Sequence, residues 1–201
     1  MSDGFDAPRT AVVERETKET RVAAALDLDG SGRGEIDTGI GCLDHMLTAL
    51  VKHAGFDLEL RCEGDLEVDD HHTAEDVALV LGQALNAALG DRRGIRRFGH
   101  AYAPLDEALA RVVVDFSGRP FARIELGFRR ESIGQIATEN LTHVFVSLAM
   151  AARMTLHVDV LAGDNDHHRC EAAFKALALA LRQAAAESGS GEVASTKGTL
   201  T

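Results

Sequence analysis

The stretch that decides the fold is Asp70-His71-His72-Thr73-Ala74-Glu75, because its pattern returns as Asp166-His167-His168-Arg169-Cys170-Glu171. The two copies are 96 residues apart, counted from the first histidine of each. A second pair of histidines, His45 and His143, lies upstream in matching apolar surroundings and is 98 residues apart. The apolar positions that follow each copy repeat at the same offsets. The chain is therefore predicted to consist of two related halves.

The hydrophobic pattern predicts the same secondary structure in both halves. In the first half, alternating apolar residues between Val22 and Leu28 predict a strand, and helical spacing predicts helices over residues 42–54 and 73–89. The second half repeats this plan and ends in an alanine-rich helix face, residues 172–186, that we expect to pack between lobes or subunits. Each half reads strand-strand-helix-strand-helix. This order predicts an α+β fold of two pseudo-repeated lobes, each a sheet backed by helices on one face.

The domain boundaries follow from the repeat. We predict a disordered lead-in over residues 1–8, a first lobe over 9–92, a second lobe over 93–187 and a flexible tail over 188–201. At 201 residues, the chain can bury a substantial core. We therefore expect the two lobes to be fused into one compact domain.

Composition and charge exclude several classes of protein. The chain carries 21 Lys and Arg against 32 Asp and Glu, a net charge of −11, which argues against a nucleic-acid partner. No apolar run approaches the ~20 residues that a membrane span needs, and the N-terminal residues lack the apolar core of a signal peptide. The three cysteines, Cys42, Cys62 and Cys170, have no framework spacing and fit a reduced setting. We expect a cytoplasmic protein without a membrane partner.

The repeated histidines and glutamates have the pattern of metal ligands. On a helix, residues three and four apart share a face, so Glu75 can lie beside His71 or His72. Adjacent histidines point about 100° apart, so we infer two metals that each take ligands from both halves. Six histidines and two glutamates make two sets of three nitrogens and one oxygen, which suits an octahedral transition metal with two open positions. The plain alternative is two surface helices that each begin with a solvated His-His pair.

Separate residues are candidates for anchoring a substrate. Arg97 and Arg119 carry guanidinium forks, and Lys197 lies beside the hydroxyls of Ser195 and Thr196. Forked guanidinium groups, and a lysine charge accompanied by hydroxyls, suit a phosphate. Taken singly, each of these residues would be interpreted as a partner in a surface ion pair.

With these motifs, the sequence from Arg9 onward resembles the imidazoleglycerol-phosphate dehydratase family of histidine biosynthesis. The two His-His-x-x-Glu copies at this separation are the most specific of the matching stretches. The others are Thr17 to Thr20, Leu43 to Leu47, Arg97 to Gly99, Pro104 to Glu107, Asp115 to Arg119 and Ser195 to Gly198. Cys42 and Ala194 depart from the family pattern, in which an aromatic residue and a proline are common at these positions.

The resemblance implies a set of site residues and an assembly. The implied ligands, for two manganese ions per active site, are His45, His71, His72, Glu75, His143, His167, His168 and Glu171. The implied substrate contacts are Glu19, His53, Arg97, Arg119, Lys175, Ser195, Thr196 and Lys197, and the implied catalytic residues are Glu19, Glu171 and His45. The resemblance also implies a homo-oligomer of 24 subunits with active sites at subunit boundaries.

The implied reaction is the loss of water from imidazole glycerol phosphate, which gives imidazole acetol phosphate. The hydrogen to be removed lies on a carbon without an adjacent carbonyl, so it is not acidic. An imidazole bound between two metals can lose its N–H and become an imidazolate, whose electrons expel the neighbouring hydroxyl and give a diazafulvene-type intermediate. We expect Glu19 to take the carbon-bound proton, because by motif it reaches the substrate without being a metal ligand. Glu171 or a metal-bound water could handle the leaving hydroxyl.

Two other functions would use the same ligand types. A two-metal phosphoesterase usually has a bridging carboxylate and more aspartate than this set offers. Metal storage or metal-dependent assembly would explain the histidines but would leave Glu19, Arg119 and the tail without a role. Release of phosphate, and binding of a substrate analogue after metal loading, separate these functions from dehydration.

Overall fold

The computed structural model describes residues 8–200, which form four helices, two four-stranded sheets and one small hairpin. The first half contains β1 Thr10–Glu16, β2 Thr20–Asp27, β3 Gly34–Asp37, α1 Gly41–Ala54, β4 Asp57–Gly64 and α2 His71–Leu89. The second half contains β5 Phe98–Leu105, β6 Ala108–Asp115, β7 Phe121–Glu125, β8 Ser132–Ile133, β9 Ile136–Ala137, α3 Thr138–Ala151, β10 Thr155–Ala162 and α4 Asp166–Ala185. The predicted lead-in lies outside the described residues except for Pro8.

The two halves build sheets of the same topology. Their strand orders are β1-β2-β4-β3 and β5-β6-β10-β7. In each sheet the last-named strand pairs parallel with its neighbour, and the other pairs are antiparallel. The predicted α+β class is therefore confirmed. The first half has three strands before its first long helix and the second half has five, rather than two, because the short strands β3, β7, β8 and β9 add to the predicted order.

The helices lie between the two sheets. Helices α1 and α2 pack against the first sheet, α3 and α4 pack against the second, and the pairs α1–α4 and α2–α3 join the halves. Gly82 allows α2 and α3 to approach closely, because a Cβ there would lie 2.6 Å from the Ala151 Cβ and 2.7 Å from the Leu148 carbonyl oxygen. Helix α4 as a whole contacts α1 of the other half as well as strands of its own sheet. No helix within residues 8–200 is both long and apolar enough to cross a membrane.

One hydrophobic core runs through both halves. The rings of Phe145 on α3 and Phe174 on α4 pack at its centre with centroids 4.6 Å apart. Gly55 ends α1 in the left-handed conformation, with φ 80°, as its position after the last apolar residue predicts. The first turns of α2 and α4, which carry the two His-His copies, lie at the edge of this core with partly exposed side chains. The fold therefore presents the candidate ligands to solvent from buried supports.

The tail, which the sequence predicts to be flexible, lies along residues 92–97 in the structure. The Gly94 N–H donates to the Glu192 carbonyl at 3.1 Å, and the Ser188 N–H donates to the Gly94 carbonyl at 2.7 Å. Arg97 Nη1 donates to the Ala194 carbonyl at 2.7 Å. These bonds place the tail against the start of the second half.

Candidate metal centre and phosphate cleft

One group of candidate ligands lies where the first turns of α1 and α4 meet, and we call it the α1–α4 cluster. It contains His45 from the first half and His167 and Glu171 from the second. Glu171 Oε2 lies 3.0 Å from His45 Nε2 and 3.3 Å from His167 Nε2. The two imidazole rings are stacked, with centroids 5.5 Å apart. One carboxylate oxygen therefore faces imidazole nitrogens from both halves.

A second group, the α2–α3 cluster, repeats this arrangement. It contains His71 and Glu75 from the first half and His143 from the second. Glu75 lies 3.1 Å from His143 Nε2 and 3.9 Å from His71 Nε2, and the two rings are stacked with centroids 5.1 Å apart. Asn140 Oδ1 lies 2.9 Å from His71 Nδ1, so it can accept the Nδ1–H and leave Nε2 facing Glu75.

Both clusters fit a divalent transition metal. In each, the three ligand atoms lie within 4.8 Å of one another. Metal bonds of about 2.0–2.2 Å to nitrogen and oxygen put neighbouring ligand atoms about 3 Å apart. The nitrogen–oxygen distances of 3.0 and 3.3 Å in the α1–α4 cluster match that spacing. Two nitrogens and one oxygen could thus hold one ion in each cluster and leave further positions open.

Glu171 is held in the ionised form that a metal ligand requires. Burial acts to raise the pKa of Glu171, but hydrogen bonds from Lys175 and His45 outweigh it and lower the pKa to about 2. Lys175, a predicted substrate contact, lies one helical turn after Glu171 and places Nζ 2.7 Å from Oε1. Lys175 therefore neutralises this carboxylate in the structure.

The structure does not bring all eight predicted ligands into the two clusters. His72 and His168 diverge from their neighbours because successive helical residues are rotated by about 100°. The ring centroid of His72 lies 6.0 Å from that of His71, and the centroid of His168 lies 6.3 Å from that of His167. The predicted sets of three nitrogens and one oxygen are therefore incomplete within one chain.

These two remaining histidines have carboxylates of their own. His72 Nδ1 lies 3.1 Å from Asp65 Oδ2, and His72 Nε2 lies 3.7 Å from Glu19. His168 Nδ1 lies 2.8 Å from Glu107 Oε2. The hydrogen bond with Asp65 raises the pKa of His72, and the bond with Glu107 raises the pKa of His168. A carboxylate on Nδ1 orients the ring and leaves Nε2 as the atom that could bind a metal, an arrangement that is usual behind metal-bound histidines.

Glu107 also fixes the start of α4. It accepts the N–H of Asn165 at 2.9 Å and that of Asp164 at 3.1 Å. The bond from Asn165, followed by that from His168, lowers the pKa of Glu107 to about 2. Glu107 directly precedes β6 as Glu19 directly precedes β2. The two carboxylates thus occupy equivalent positions in the two halves.

Sequence reasoning missed three residues that orient the candidate ligands: Asn140, Asp65 and Glu107. Asn140 lies three residues before His143 and shares its helix face, so helical spacing could have found it. Comparison of the residues before β2 and β6 could have found Glu107. Asp65 lies in a loop of several acidic residues, and nothing in that loop distinguishes it from the others.

The residues predicted to bind phosphate share one open cleft. The cleft is lined by Arg97, Arg119, Ala194, Ser195, Thr196 and Lys197. Arg97 is held by Asp115, which accepts from its Nε at 2.7 Å and from its Nη2 at 3.0 Å. The Gly198 N–H donates to the Ser195 carbonyl at 3.0 Å and closes a turn in the tail. Two guanidinium groups and one ammonium group therefore face a common space.

This cleft and the two clusters lie at opposite ends of the helices. The Arg97 N–H bonds to the carbonyl of Ala184 near the end of α4, whereas His167 is in the first turn. At 1.5 Å per residue, these positions on α4 are about 25 Å apart. His53, another predicted substrate contact, is exposed in the last turn of α1, about 12 Å along the helix from His45. One chain therefore does not place its own clusters beside its own phosphate cleft.

Comparisons with known sequences all identify the same family. Residues 38–181 match the family model described as imidazoleglycerol-phosphate dehydratase. The chain is 56% identical over 201 residues to the imidazoleglycerol-phosphate dehydratase of Salinibacter ruber, with 100% of both chains covered. It is also 56% identical, over 208 aligned residues, to that of Candida glabrata, with 94% of this chain and 99% of the relative covered.

Solved structures of that enzyme have the same fold. The imidazoleglycerol-phosphate dehydratase of Staphylococcus aureus matches with a TM-score of 0.81 and 36% identity, covering 89% of this chain and 99% of that chain. The Pyrococcus furiosus enzyme matches with a TM-score of 0.81 and 39% identity, covering 94% of this chain and 100% of that chain. The similarity in structure thus extends over nearly the whole molecule.

Proposed function

Since this chain belongs to the imidazoleglycerol-phosphate dehydratase family, whose members are hydro-lyases of histidine biosynthesis, we propose that it dehydrates imidazole glycerol phosphate on two manganese ions. The observation that carries the proposal is the pair of clusters, each of which joins imidazole and carboxylate ligands from both halves. When bound there, manganese ions supply two cations that hold the imidazole ring of the substrate and favour loss of its N–H proton.

Glu19 is the acid/base residue of this proposal. It lies in the turn between β1 and β2, which the Thr17 N–H closes on the Thr20 carbonyl at 2.9 Å. Its side chain is 55% exposed and 3.7 Å from His72 Nε2. It belongs to neither three-ligand cluster, so its carboxylate remains available to exchange protons with a substrate.

The order of steps follows from the chemistry of the substrate. Departure of the hydroxyl group gives the diazafulvene-type intermediate, and the carbon-bound hydrogen becomes acidic because its electrons can return to the ring. Glu19 takes this proton, and the resulting enol tautomerises to the ketone. A water molecule protonates the leaving hydroxyl group, because Glu171 is ionised beside Lys175, and one water is released for each imidazole acetol phosphate formed.

The phosphate cleft supplies positioning rather than bond chemistry. Two hydrogen bonds from the Arg97 guanidinium group to the Asp115 carboxylate already hold the Arg97 side chain in place. Little side-chain entropy is therefore lost when Arg97 binds a phosphate. Arg119, Lys197 and the hydroxyl groups of Ser195 and Thr196 supply further donors. These contacts with the phosphate fix the position of the reacting carbon relative to the two clusters.

The active site is shared between copies of the chain. Imidazole and phosphate lie at opposite ends of a three-carbon chain, whereas cluster and cleft within one copy are about 25 Å apart along α4. The Nε2 atoms of His72 and His168 belong to neither the α1–α4 nor the α2–α3 cluster, and they lie 3.7 Å from Glu19 and 3.9 Å from Asp106. In a homo-oligomer of 24 subunits, these two nitrogens would complete the clusters of neighbouring copies, so that each cluster would offer three nitrogens and one oxygen to a metal ion.

The thiol groups support a cytoplasmic location. Cys42, Cys62 and Cys170 are all unpaired in the structure. Burial raises the pKa of each of these thiols, which keeps them protonated and unreactive. Such cysteines suit a reducing compartment.

A direct assay tests the proposed function. Manganese-loaded protein is mixed with imidazole glycerol phosphate, and formation of the enolisable ketone is followed by its absorbance while inorganic phosphate is measured in parallel. The proposal predicts ketone without phosphate and no ketone after chelation of the metal. Phosphate without ketone would indicate a phosphoesterase, and substrate binding without either product would indicate a non-enzymatic role.

A further inference from the structure

A buried arginine outside the predicted site residues lies beneath the C-terminal tail. Arg92 follows α2 and is only 3% exposed. Its Nη2 donates to Asn86 Oδ1 at 2.7 Å and to the carbonyl of Ala152, at the end of α3, at 3.3 Å. Its Nη1 donates to the carbonyl of Leu200 in the tail at 3.5 Å. One guanidinium group therefore joins the ends of two helices to the tail.

The same end of the tail packs against the turn that carries Arg119. Leu200 is buried, at 8% exposure. A Cβ on Gly118 would lie 2.5 Å from the Leu200 carbonyl oxygen and 2.9 Å from Arg92 Nη1, so only glycine permits this approach. Arg153 Nε also donates to the Gly118 carbonyl at 3.2 Å. The tail and the Arg119 turn are thus held against each other by a common support.

The tail is attached at both sides of its phosphate-binding residues. On one side, Arg97 Nη1 bonds to the Ala194 carbonyl at 2.7 Å. On the other side, the Leu200 carbonyl accepts a hydrogen bond from Arg92 Nη1 and packs closely against Gly118. Ser195, Thr196 and Lys197 lie between these attachments. Their position therefore depends on the two ends of a seven-residue span.

We propose that Arg92 is a positioning residue of the phosphate cleft, which acts by fixing the end of the tail so that Ser195 and Lys197 face Arg119. This role rests on the proposed function, because it assumes that the cleft binds the substrate phosphate. Arg92 itself does not line the cleft. Its effect on substrate binding passes through the tail.

The cost of placing an arginine here supports a specific role. The backbone of Arg92 has φ 63°, a left-handed conformation that a side chain makes unfavourable. Burial, followed by repulsion from Arg153, lowers the pKa of Arg92, and its Nε has no hydrogen-bond partner among the described residues. A lysine has no planar fork and cannot match the spread of Asn86, Ala152 and Leu200 acceptors. The fork geometry, rather than charge alone, therefore connects the three elements.

The test compares kinetic constants of variants in the manganese-loaded enzyme. Arg92→Gln should raise the KM for imidazole glycerol phosphate about tenfold and leave kcat within about twofold, with weaker inhibition by inorganic phosphate to the same degree. Arg92→Lys should show an intermediate rise. The matched control is Arg93→Gln, because the Arg93 side chain is exposed and donates to nearby Asp91, while its bridge to Val193 of the tail uses only the backbone, which the substitution retains. It should leave both constants unchanged.

A second variant and a second measurement keep the inference falsifiable if Arg92→Gln fails to fold. Leu200→Ala removes the buried side chain at the other end of the same contact and should raise KM in the same way. Hydrogen exchange, which needs no substrate, should show faster exchange of the tail amides in both variants. Faster tail exchange with unchanged KM would overturn the positioning role alone. Wild-type protein that binds inorganic phosphate but makes no ketone would instead overturn the proposed function.

Discussion

His143 on α3 lies 3.1 Å from Glu75 on α2, measured from Nε2 to Oε1, although 68 residues separate them in the chain. The same relationship joins His45 on α1 to Glu171 on α4 at 3.0 Å across 126 residues. Each contact joins a histidine of one half to the glutamate of the other. The duplication therefore produces paired histidine–glutamate clusters at helix contacts between the halves, rather than one cluster in each half.

Removal of His72 tests the sharing of ligands between copies. In His72→Ala, we expect manganese affinity to fall by at least about 100-fold, because loss of even an outer partner costs 10- to 100-fold. The oligomer should also dissociate more readily on gel filtration. His100→Ala is the control, since His100 is exposed on β5 and lies in neither cluster. A fully metallated, intact and active His72→Ala particle would rule out the ligand role.

Glu19→Gln separates chemistry from binding. The amide keeps the size of the side chain but cannot accept the carbon-bound proton, so kcat should fall by at least about 100-fold. Manganese content and the affinity for a substrate analogue should change little, as titration calorimetry would measure. Turnover at the wild-type rate would remove Glu19 from the mechanism.

Close packing of α2 on α3 supports one cluster. Gly82→Ala should lower the free energy of unfolding by about 1–3 kcal/mol, because the added methyl meets Ala151 and backbone atoms of α3 at less than 3 Å. Gly41→Ala is the matched control in another helix, since a Cβ there meets nothing within 4 Å. It should be neutral or slightly stabilising in urea unfolding. Equal effects of the two substitutions on the free energy of unfolding would show that α3 shifts to accommodate the added methyl group, so that close packing at Gly82 is not required.

The Glu107 carboxylate should make stability depend on pH. Its pKa of about 2 in the folded protein lies below the ordinary value of 4.5, so its contribution is complete above pH 4.5 and is lost as the pH falls toward 2. The difference in urea midpoint between metal-free wild type and Glu107→Gln should therefore be larger near pH 5 than at pH 7, because His168, whose pKa the same bond raises, is then protonated, and it should shrink between pH 4.5 and pH 3. A difference that stays constant with pH would contradict this linkage.

The helices and the positions of the candidate ligands on them could be predicted from the sequence, because both follow from local spacing. The apolar stripe of α1 and the left-handed Gly55 are local signals, and each is where the pattern predicts. The repeat of His45 as His143 also indicated that the halves correspond. The α+β class followed from the same repeat, and the structure confirms it.

The partners of the ligands could not be predicted, because they depend on packing between distant elements. The contact of Glu75 with His143 requires α2 and α3 to cross closely at Gly82, and no local pattern specifies that crossing. The divergence of His72 followed from helix geometry, but its pairing with Asp65 depends on the path of a loop. The proposed role of Arg92 could not be predicted for the same reason, since its acceptors come from three separate parts of the chain.

The most direct test counts the manganese ions bound to each chain. Metal-stripped protein is reloaded with manganese, passed through gel filtration and analysed for metal and protein content. Wild type should bind two ions per chain, and Glu75→Gln and Glu171→Gln should each keep about one, because each variant loses the carboxylate of one cluster. Wild type that binds no manganese, or two variants that both keep two ions, would contradict the assignment of the clusters as metal sites.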